Sequence, residues 1–249
     1  DPRPIKHPVK FYEKGDKPLE IVQSRQWYIR NGGRDLDLRA RLVARGDELT
    51  WHPSYMQARY SDWVNGLNGD WLVSRQRYFG VPIPVWHRLD GDGNPSYDDP
   101  LVPTEESLPI DPQTDCPPGY DESQRNQPDG FMGDPDIMDT WATSSLTPQI
   151  ACGWEDDPDL FERTFPMDLR PQGHDIIRTW LFATMVRSHH EHGTPPWKHA
   201  ALSGWILDPD RKKMSKSKGN VITPMHLLDE YGADAVRYWS ANARLGTDT

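Results

Sequence analysis

The sequence predicts an α/β chain, with an irregular α+β first part followed by a parallel-sheet unit. Three observations carry this. From Phe165 onward, strand-length apolar runs alternate with helix-period stretches, which is the rhythm of strand–helix–strand units. One of those runs ends in Pro171-Gln172-Gly173 and feeds straight into a helical pattern. Between Val81 and Pro135, by contrast, prolines cluster among Asp and Gly residues and break up any long element.

The chain opens with extended segments, His7 to Tyr12, Leu19 to Val22 and Gln26 to Arg30, and a turn at Lys14-Gly15-Asp16. Asn31-Gly32-Gly33-Arg34-Asp35 interrupts them, and a charged helix follows from Leu36 to Arg45. From Pro53, the residues Met56, Tyr60, Trp63, Val64 and Leu67 recur at helical spacing, and Asn65-Gly66 and Asn68-Gly69 end the pattern. The proline alternation of Val81-Pro82-Ile83-Pro84-Val85 forces an extended edge segment. Residues 88–135 read as a loop-dominated insertion. Asp134, Asp136 and Asp139 lack a calcium-loop spacing and read as cap and turn residues, a metal cluster being the alternative. The small-residue run after Thr140 lets backbone approach closely, and Trp141 within it fits either a core or a pocket wall.

Met167 to Arg170 is predicted as a short strand ending at Pro171-Gln172-Gly173. His174-Asp175 then open a helix with Ile177, Trp180, Leu181 and Met185 on one face. A glycine-ended strand that meets a helix N-terminus is where open α/β sheets bind ligands. His189, His190 and His192 lie just before Gly193 without the spacing of a helical zinc pair, and read as a C-terminal cap. A second strand is predicted from Ala200 to Leu207, closed by Asp208-Pro209-Asp210. Thr223 and Pro224 read as the cap and first residue of a helix that Gly232 ends, with another over residues 233–243.

Between these elements lies Lys213-Met214-Ser215-Lys216-Ser217-Lys218-Gly219-Asn220. Its lysines alternate with small or flexible residues, so mobile point charges, hydroxyls and N–H groups near Gly219 can converge on phosphate oxygens. A solvated basic loop is the competing reading.

Composition sets the outer limits. Hydrophobic residues at 35% with 11 Trp and 9 Tyr make a globular chain, not a disordered one. The formal net charge of −10 argues against sequence-independent coating of nucleic acid, while leaving room for a local basic patch. Two cysteines, Cys116 and Cys152, supply neither a disulfide framework nor a Cys-rich zinc site, and fit a reducing, cytoplasmic setting. No apolar run has the length of a membrane span, and Asp1-Pro2-Arg3-Pro4 is no signal peptide. With no initiator Met, a piece of something longer is expected.

Taken together, Lys213-Met214-Ser215-Lys216-Ser217, Gly173-His174-Asp175 and Trp71-Leu72-Val73-Ser74-Arg75-Gln76 resemble the class I aminoacyl-tRNA synthetases. The subgroup for large hydrophobic amino acids fits best. Met138-Asp139-Thr140-Trp141 with its following serines, and the continuation Lys218-Gly219-Asn220-Val221-Ile222, resemble the valine-specific branch, with isoleucine the nearest alternative.

This resemblance implies the second half of a split Rossmann-type nucleotide-binding domain, with an irregular α+β connective region. Residues 1–30 would be a ribbon returning from an editing insertion, 31–160 the connective region, and 161–249 the half-domain. It implies valine, ATP with Mg²⁺, and tRNA(Val) as substrates and partners, in a monomeric cytoplasmic enzyme. A non-catalytic tRNA-binding module is the rival of another class. Where related enzymes carry Cys-x-x-Cys knuckles, this sequence has Tyr12 to Asp16 and Cys116-Pro117-Pro118-Gly119, so no protein-bound zinc or other metal is expected.

The resemblance makes Lys213 and Lys216 the catalytic residues, stabilising the leaving pyrophosphate. It places ATP against Gln172, Gly173, Gly204, Trp205 and Ile206, and under Lys213, Met214, Ser215, Lys216 and Ser217. Asp175 would hold the α-ammonium of valine, and Trp141, Ile176 and Trp180 its side chain. Such an apolar pocket discriminates poorly against threonine, which implies editing elsewhere. Arg75 and Gln76 would face tRNA, a structural arginine being equally compatible. No His-Ile-Gly-His-type sequence occurs. The 249 residues alone are therefore expected to catalyse no ATP–pyrophosphate exchange, and robust exchange by that purified piece would refute this.

Overall fold

The computed structural model describes residues 3, 8–12, 15–20 and 22–249. The predicted start of an extended segment at His7, the Lys14 position of the first turn, and Asp1, Pro2 and Pro4 lie outside the described residues. Within them the turn at Gly15-Asp16 is present: Phe11 bridges Pro18 in antiparallel fashion, and the Leu19 N–H donates to the Lys10 carbonyl at 2.8 Å.

The elements run in the order β1 (Tyr28–Ile29), α1 (Leu36–Asp47), β2 (Thr50–His52), α2 (Met56–Asn65), β3 (Trp71–Leu72), β4 (Ser74–Arg75) and β5 (Trp86–Arg88). They continue with β6 (Phe131–Gly133), β7 (Ile137–Met138), α3 (Thr140–Ser144), α4 (Thr147–Ala151), α5 (Pro158–Thr164) and β8 (Met167–Gly173). After a 3₁₀ turn (His174–Ile176) and a π-helical turn (Ile177–Leu181) come α6 (Phe182–His192), β9 (Trp197–Ser203), a 3₁₀ turn (Lys216–Lys218) and α7 (Met225–Ala241).

The central sheet is parallel, in the order β2-β9-β8. β8 is therefore an edge strand, where Pro171 costs no ladder bond on its open side. That lets the strand continue beyond Arg170 through Pro171 to the expected end at Gly173. β9 begins and ends earlier than the predicted Ala200 to Leu207, because its pairing starts with Met167 opposite Trp197 and finishes with Gly173 opposite Ser203. β2 went unpredicted and joins the sheet from a segment expected to be connective.

Against one face of the sheet pack α1, α2 and the helical stretch from Ile177. Leu38, Leu42, Trp51, Met56, Tyr60 and Val64 bury with Ile177, Leu181, Met185, Trp197 and Leu202 in one cluster. The two loop breaks read from Asn-Gly pairs meet: a Cβ on Gly33 would lie 1.9 Å from the Gly69 carbonyl oxygen. Arg39 seals that crossing by donating to the carbonyls of Gly32 (2.8 Å), Gly33 (3.0 Å) and Leu67 (2.6 Å).

The region expected to be loops is held by short antiparallel pairs, β1 with β3, β4 with β7 and β5 with β6. A buried hub sits among them, where Asp134 accepts from the Trp27 indole (2.7 Å), His87 Nε2 (2.9 Å) and the Asp136 N–H (2.9 Å). α7 starts at Met225, one residue later than read, with Pro224 at the cap position and no side-chain cap from Thr223. Gly232 breaks it as predicted, at φ 80°.

Gly46 lies in the last turn of α1 against the Tyr60 ring, where an added Cβ would stand 2.4 Å from Cε1. Tyr60 is held in place by donating its hydroxyl to the Leu42 carbonyl at 2.7 Å. Gly46→Ala is accordingly expected to destabilise the protein by about 1–3 kcal/mol through overpacking, despite the better helix propensity of alanine. A urea unfolding midpoint that stays put or rises would contradict this.

Candidate active site

The parallel pairing brings the carboxyl ends of β8 and β9 side by side, and the candidate residues leave the sheet there. At Gly173 the Asp175 carboxylate occupies the space beside the backbone, where a Cβ would sit 2.7 Å from Oδ1, so a side chain there would displace it. The carboxylate thus folds back over the strand end. Buried Gln172 donates from Nε2 to the Gly173 carbonyl (3.2 Å) and accepts from Arg170 Nε (3.2 Å).

His174 is buried between Arg59 and Trp205. A guanidinium only donates, so at 2.6 Å His174 Nδ1 is the acceptor from Arg59 and the ring proton sits on Nε2. Burial and then the Arg59 charge hold this imidazole below its ordinary pKa. Its ring lies 4.6 Å from that of Trp205, centroid to centroid. On Trp205 stands Lys213 Nζ, 4.0 Å from the ring centroid and 3.8 Å from Asp175 Oδ2. An open cleft of about 560 Å³ runs past these groups to Trp63 and Ile177.

The lysine loop continues from Lys213. Ser215 caps the 3₁₀ turn by accepting the Lys218 N–H on Oγ at 3.3 Å, and Gly219 leaves the turn at φ 67°. Lys216 and Lys218 are exposed and carry no ion pair among the described residues. Asn220 ties the base of the loop, bonding to Asp208, Lys213 and Ser215. Opposite the loop, the Gly204–Ile206 backbone is edged by residues 246–249. Thr249 N–H donates to the Trp205 carbonyl (2.9 Å) and Leu207 N–H to the Thr249 carbonyl (2.8 Å), a parallel-ladder pattern around Ile206. A Cβ on Gly204 would lie 2.2 Å from the Thr247 carbonyl oxygen.

The remaining expected residues, Gln76 apart, lie around α3 and the turns that precede α6. Trp180 is only half-buried and turns away from the core that Ile177, Leu181 and Met185 enter. The single helix read from His174 is instead a 3₁₀ turn, a π-helical turn and α6, and the wider π turn sets that difference of direction. Trp180 Nε1 donates to the Ser144 carbonyl at 2.8 Å, which ties it to the end of α3. Trp141, half-buried, lies near the start of α3, where its N–H donates to Asp139 Oδ1 at 3.0 Å. Ile176, also half-buried, lies at the join of the two turns.

Asp139 Oδ2 takes the Arg75 guanidinium, which also donates to the Leu72 (3.0 Å) and Ser74 (2.8 Å) carbonyls. Arg75 therefore braces the Trp141 helix. Gln76 lies in a separate cleft, donating to Gln26 (3.1 Å) and Asp136 (3.0 Å). Three groups at the site had no assigned role in the sequence reading. Arg59 and His174 are joined across 115 positions, Arg170 stacks on Trp180 at 3.0 Å, and Asn220 closes the loop. Asn220 and His174 were traceable in sequence, as the last residue of the lysine string and the middle residue of Gly173-His174-Asp175.

Among the described residues no trio of His, Cys, Asp or Glu is disposed to hold a metal, and no helix is long and apolar enough to cross a membrane. His189 accepts from Arg45 Nε at 3.1 Å, and His192 packs among Trp154, Phe161 and Phe165.

Comparison with known proteins gives a consistent set of likenesses. The family described as tRNA synthetases class I (I, L, M and V) matches residues 12–249. A valine–tRNA ligase of Thermobifida fusca (strain YX) is 70% identical over 249 residues, which is 100% of this chain and 28% of that protein. One from Salinispora tropica is 68% identical over 248 residues, 100% of this chain and 29% of that protein. One from Cutibacterium acnes is 63% identical over 249 residues, again 100% and 29%. The chain thus spans less than a third of the length of these relatives. A crystal structure of Mycobacterium tuberculosis methionyl-tRNA synthetase bound by methionyl-adenylate superposes with a TM-score of 0.58 at 22% identity, covering 95% of this chain and 37% of that one. That likeness establishes a shared mixed α/β fold with a parallel sheet.

Burial holds His174, His189 and His192 below their ordinary pKa of 6.5. The unfolded chain therefore binds more protons than the folded one once the pH drops below about 6.5. The contribution of these histidines is complete above that value and is lost as pH falls towards their folded values. A thermal midpoint that declines between about pH 7.5 and about pH 5.5 is expected; a rise over that interval would reverse the assignment.

Proposed function

The chain belongs to the class I tRNA synthetases of the I, L, M and V group, and we propose that its protein activates valine with ATP and transfers it to tRNA(Val). The observation that carries the chemistry is the meeting of Lys213, Asp175 and Trp205 over the Gly173 strand end. The choice of valine follows the names of relatives 63–70% identical over the whole chain, and nothing favours isoleucine.

In this reading residues 161–249 are the second half of a split Rossmann-type domain, to which β2 adds a strand. Residues 31–160 form the connective region and 1–30 the ribbon. The valine carboxylate attacks the α-phosphorus of ATP and displaces pyrophosphate, giving valyl-adenylate. A hydroxyl of the terminal tRNA ribose then attacks the adenylate's carbonyl carbon, taking the acyl group and releasing AMP. The Mg²⁺ that accompanies ATP would screen the phosphate charge. Such displacements need positioning and charge, not an enzyme nucleophile. Lys216 and Lys213 receive the charge that builds on pyrophosphate, with Met214, Ser215 and Ser217 carrying the loop. Lys216 suits this because no carboxylate in the described residues engages it. Gln172 and Gly173 meet the ribose, and Gly204, Trp205 and Ile206 meet the adenine. Asp175 takes the α-ammonium, which would replace Lys213 at that carboxylate and free the lysine for phosphate. Trp141, Ile176 and Trp180 hold the side chain, with Arg75 bracing Trp141 and Gln76 facing tRNA.

Lys216→Ala, in the protein expressed from its complete gene, is expected to slow adenylate formation by about a hundredfold to a thousandfold. Valine affinity should be retained, and valine should outperform isoleucine in pyrophosphate exchange. Unchanged turnover would remove Lys216 from the mechanism, and equal exchange with isoleucine would remove the valine assignment.

A further inference from the structure

We propose that Asn220 is a positioning residue for activation, fixing the lysine loop through a single side-chain amide locked to Asp208. This rests on the reading of Lys213 and Lys216 as the groups that meet pyrophosphate. The loop leaves the sheet side at Leu207 and returns at Asn220, and its first half folds back as a tight turn. Leu207 bridges Lys213, the Asp208 N–H donates to the Lys212 carbonyl at 2.9 Å, and the Arg211 N–H to the Asp208 carbonyl at 2.8 Å.

Asp208 divides its carboxylate. Oδ1 accepts the Lys212 N–H at 2.7 Å, and Oδ2 accepts Asn220 Nδ2 at 2.8 Å. The same Nδ2 donates to the Lys213 carbonyl at 3.2 Å, and Asn220 Oδ1 accepts the Ser215 N–H at 3.0 Å. One amide therefore grips the main chain on both sides of Met214. Gly219, in the left-handed region at φ 67°, lets the chain turn back far enough for Asn220 to reach.

Two consequences follow for the lysines. Fixing the Lys213 carbonyl orients the backbone from which its side chain reaches Asp175 and Trp205. Fixing the Ser215 N–H sets the start of the 3₁₀ turn that presents Lys216. The grip needs an amide, because it donates to a carboxylate and a carbonyl while accepting an N–H. Aspartate has no donor for the first two, and in its ionised form would face Asp208 across the distance of a hydrogen bond.

The test uses the protein from its complete gene, with valine-dependent ATP–pyrophosphate exchange and thermal midpoints measured for four variants. Asn220→Ala is expected to lower kcat by about tenfold to a hundredfold, with KM for valine and the thermal midpoint unchanged, because misplacement affects the reacting step. Asn220→Asp is expected to be worse. The double variant Asp208→Asn with Asn220→Asp restores an amide–carboxylate pair with its polarity reversed, and still accepts the Ser215 N–H, so it should recover part of the loss. Lys216→Ala, run in parallel, tests the underlying reading. If Lys216→Ala lowers kcat while Asn220→Ala does not, the positioning role is refuted and the reading stands. If Lys216→Ala has no effect, the reading itself fails. A double variant no better than Asn220→Asp, or a kcat loss matched by lost folded protein, also overturns the proposal.

Discussion

Everything at the candidate site hangs on the pairing of β8 with β9. Parallel strands need a crossover, here the helical stretch through α6, and their bonds form only when that crossover packs on the sheet. The register from Met167 opposite Trp197 to Gly173 opposite Ser203 leaves both strands ending at one level. Gly173-His174-Asp175 and Gly204-Trp205-Ile206 then emerge as neighbours. A shift of one residue would turn the faces over and take Trp197 out of the core. The core cluster is what forbids that shift, since Trp197 and Leu202 on β9 are locked among residues of α1, α2 and the stretch from Ile177.

Acidic side chains organise much of the remainder, acting as acceptors for main-chain donors and for buried rings. Asp134 gathers Trp27, His87 and Asp136; Asp139 joins Arg75 to the start of α3; Asp208 joins two turns of the lysine loop. Each carboxylate spreads its charge over several donors, which for Asp134 and Asp139 is how a chain of net charge −10 keeps acids in its interior. The connective region needs such hubs because its strands are only two or three residues long and bury little by themselves.

The fold was readable in sequence where period and punctuation agreed. The helices at Leu36 and Met56, the break at Gly232 and the glycine-ended strand before His174 all carry a repeating pattern with a stop. β2 was missed because three residues, Thr50 to His52, give no period at all and become a strand only by pairing with β9. β9 was misplaced because Ala200 to Leu207 is the more uniformly apolar run, whereas the ladder begins at Trp197. At the site, motif residues such as Lys213, Asp175 and Trp205 do come together. Arg59 and Arg170 left no trace in sequence, because their significance lies in contacts with His174 and Trp180 that only the packed chain creates.

The π-helical turn at Ile177–Leu181 has a consequence for which lengths of chain can work here. A helix advances about 100° per residue, so an α-helical stretch one residue shorter would keep its core face only by rotating everything before it by that angle. Ile177, Leu181 and Met185 would hold the downstream part to the core, and Asp175 would be swung off the strand end. Deletion at this turn therefore displaces the site in a way that substitution does not. The segment between Gly173 and Phe182 is thus constrained in residue count as well as in residue identity, and its length acts as a ruler between the core and the cleft.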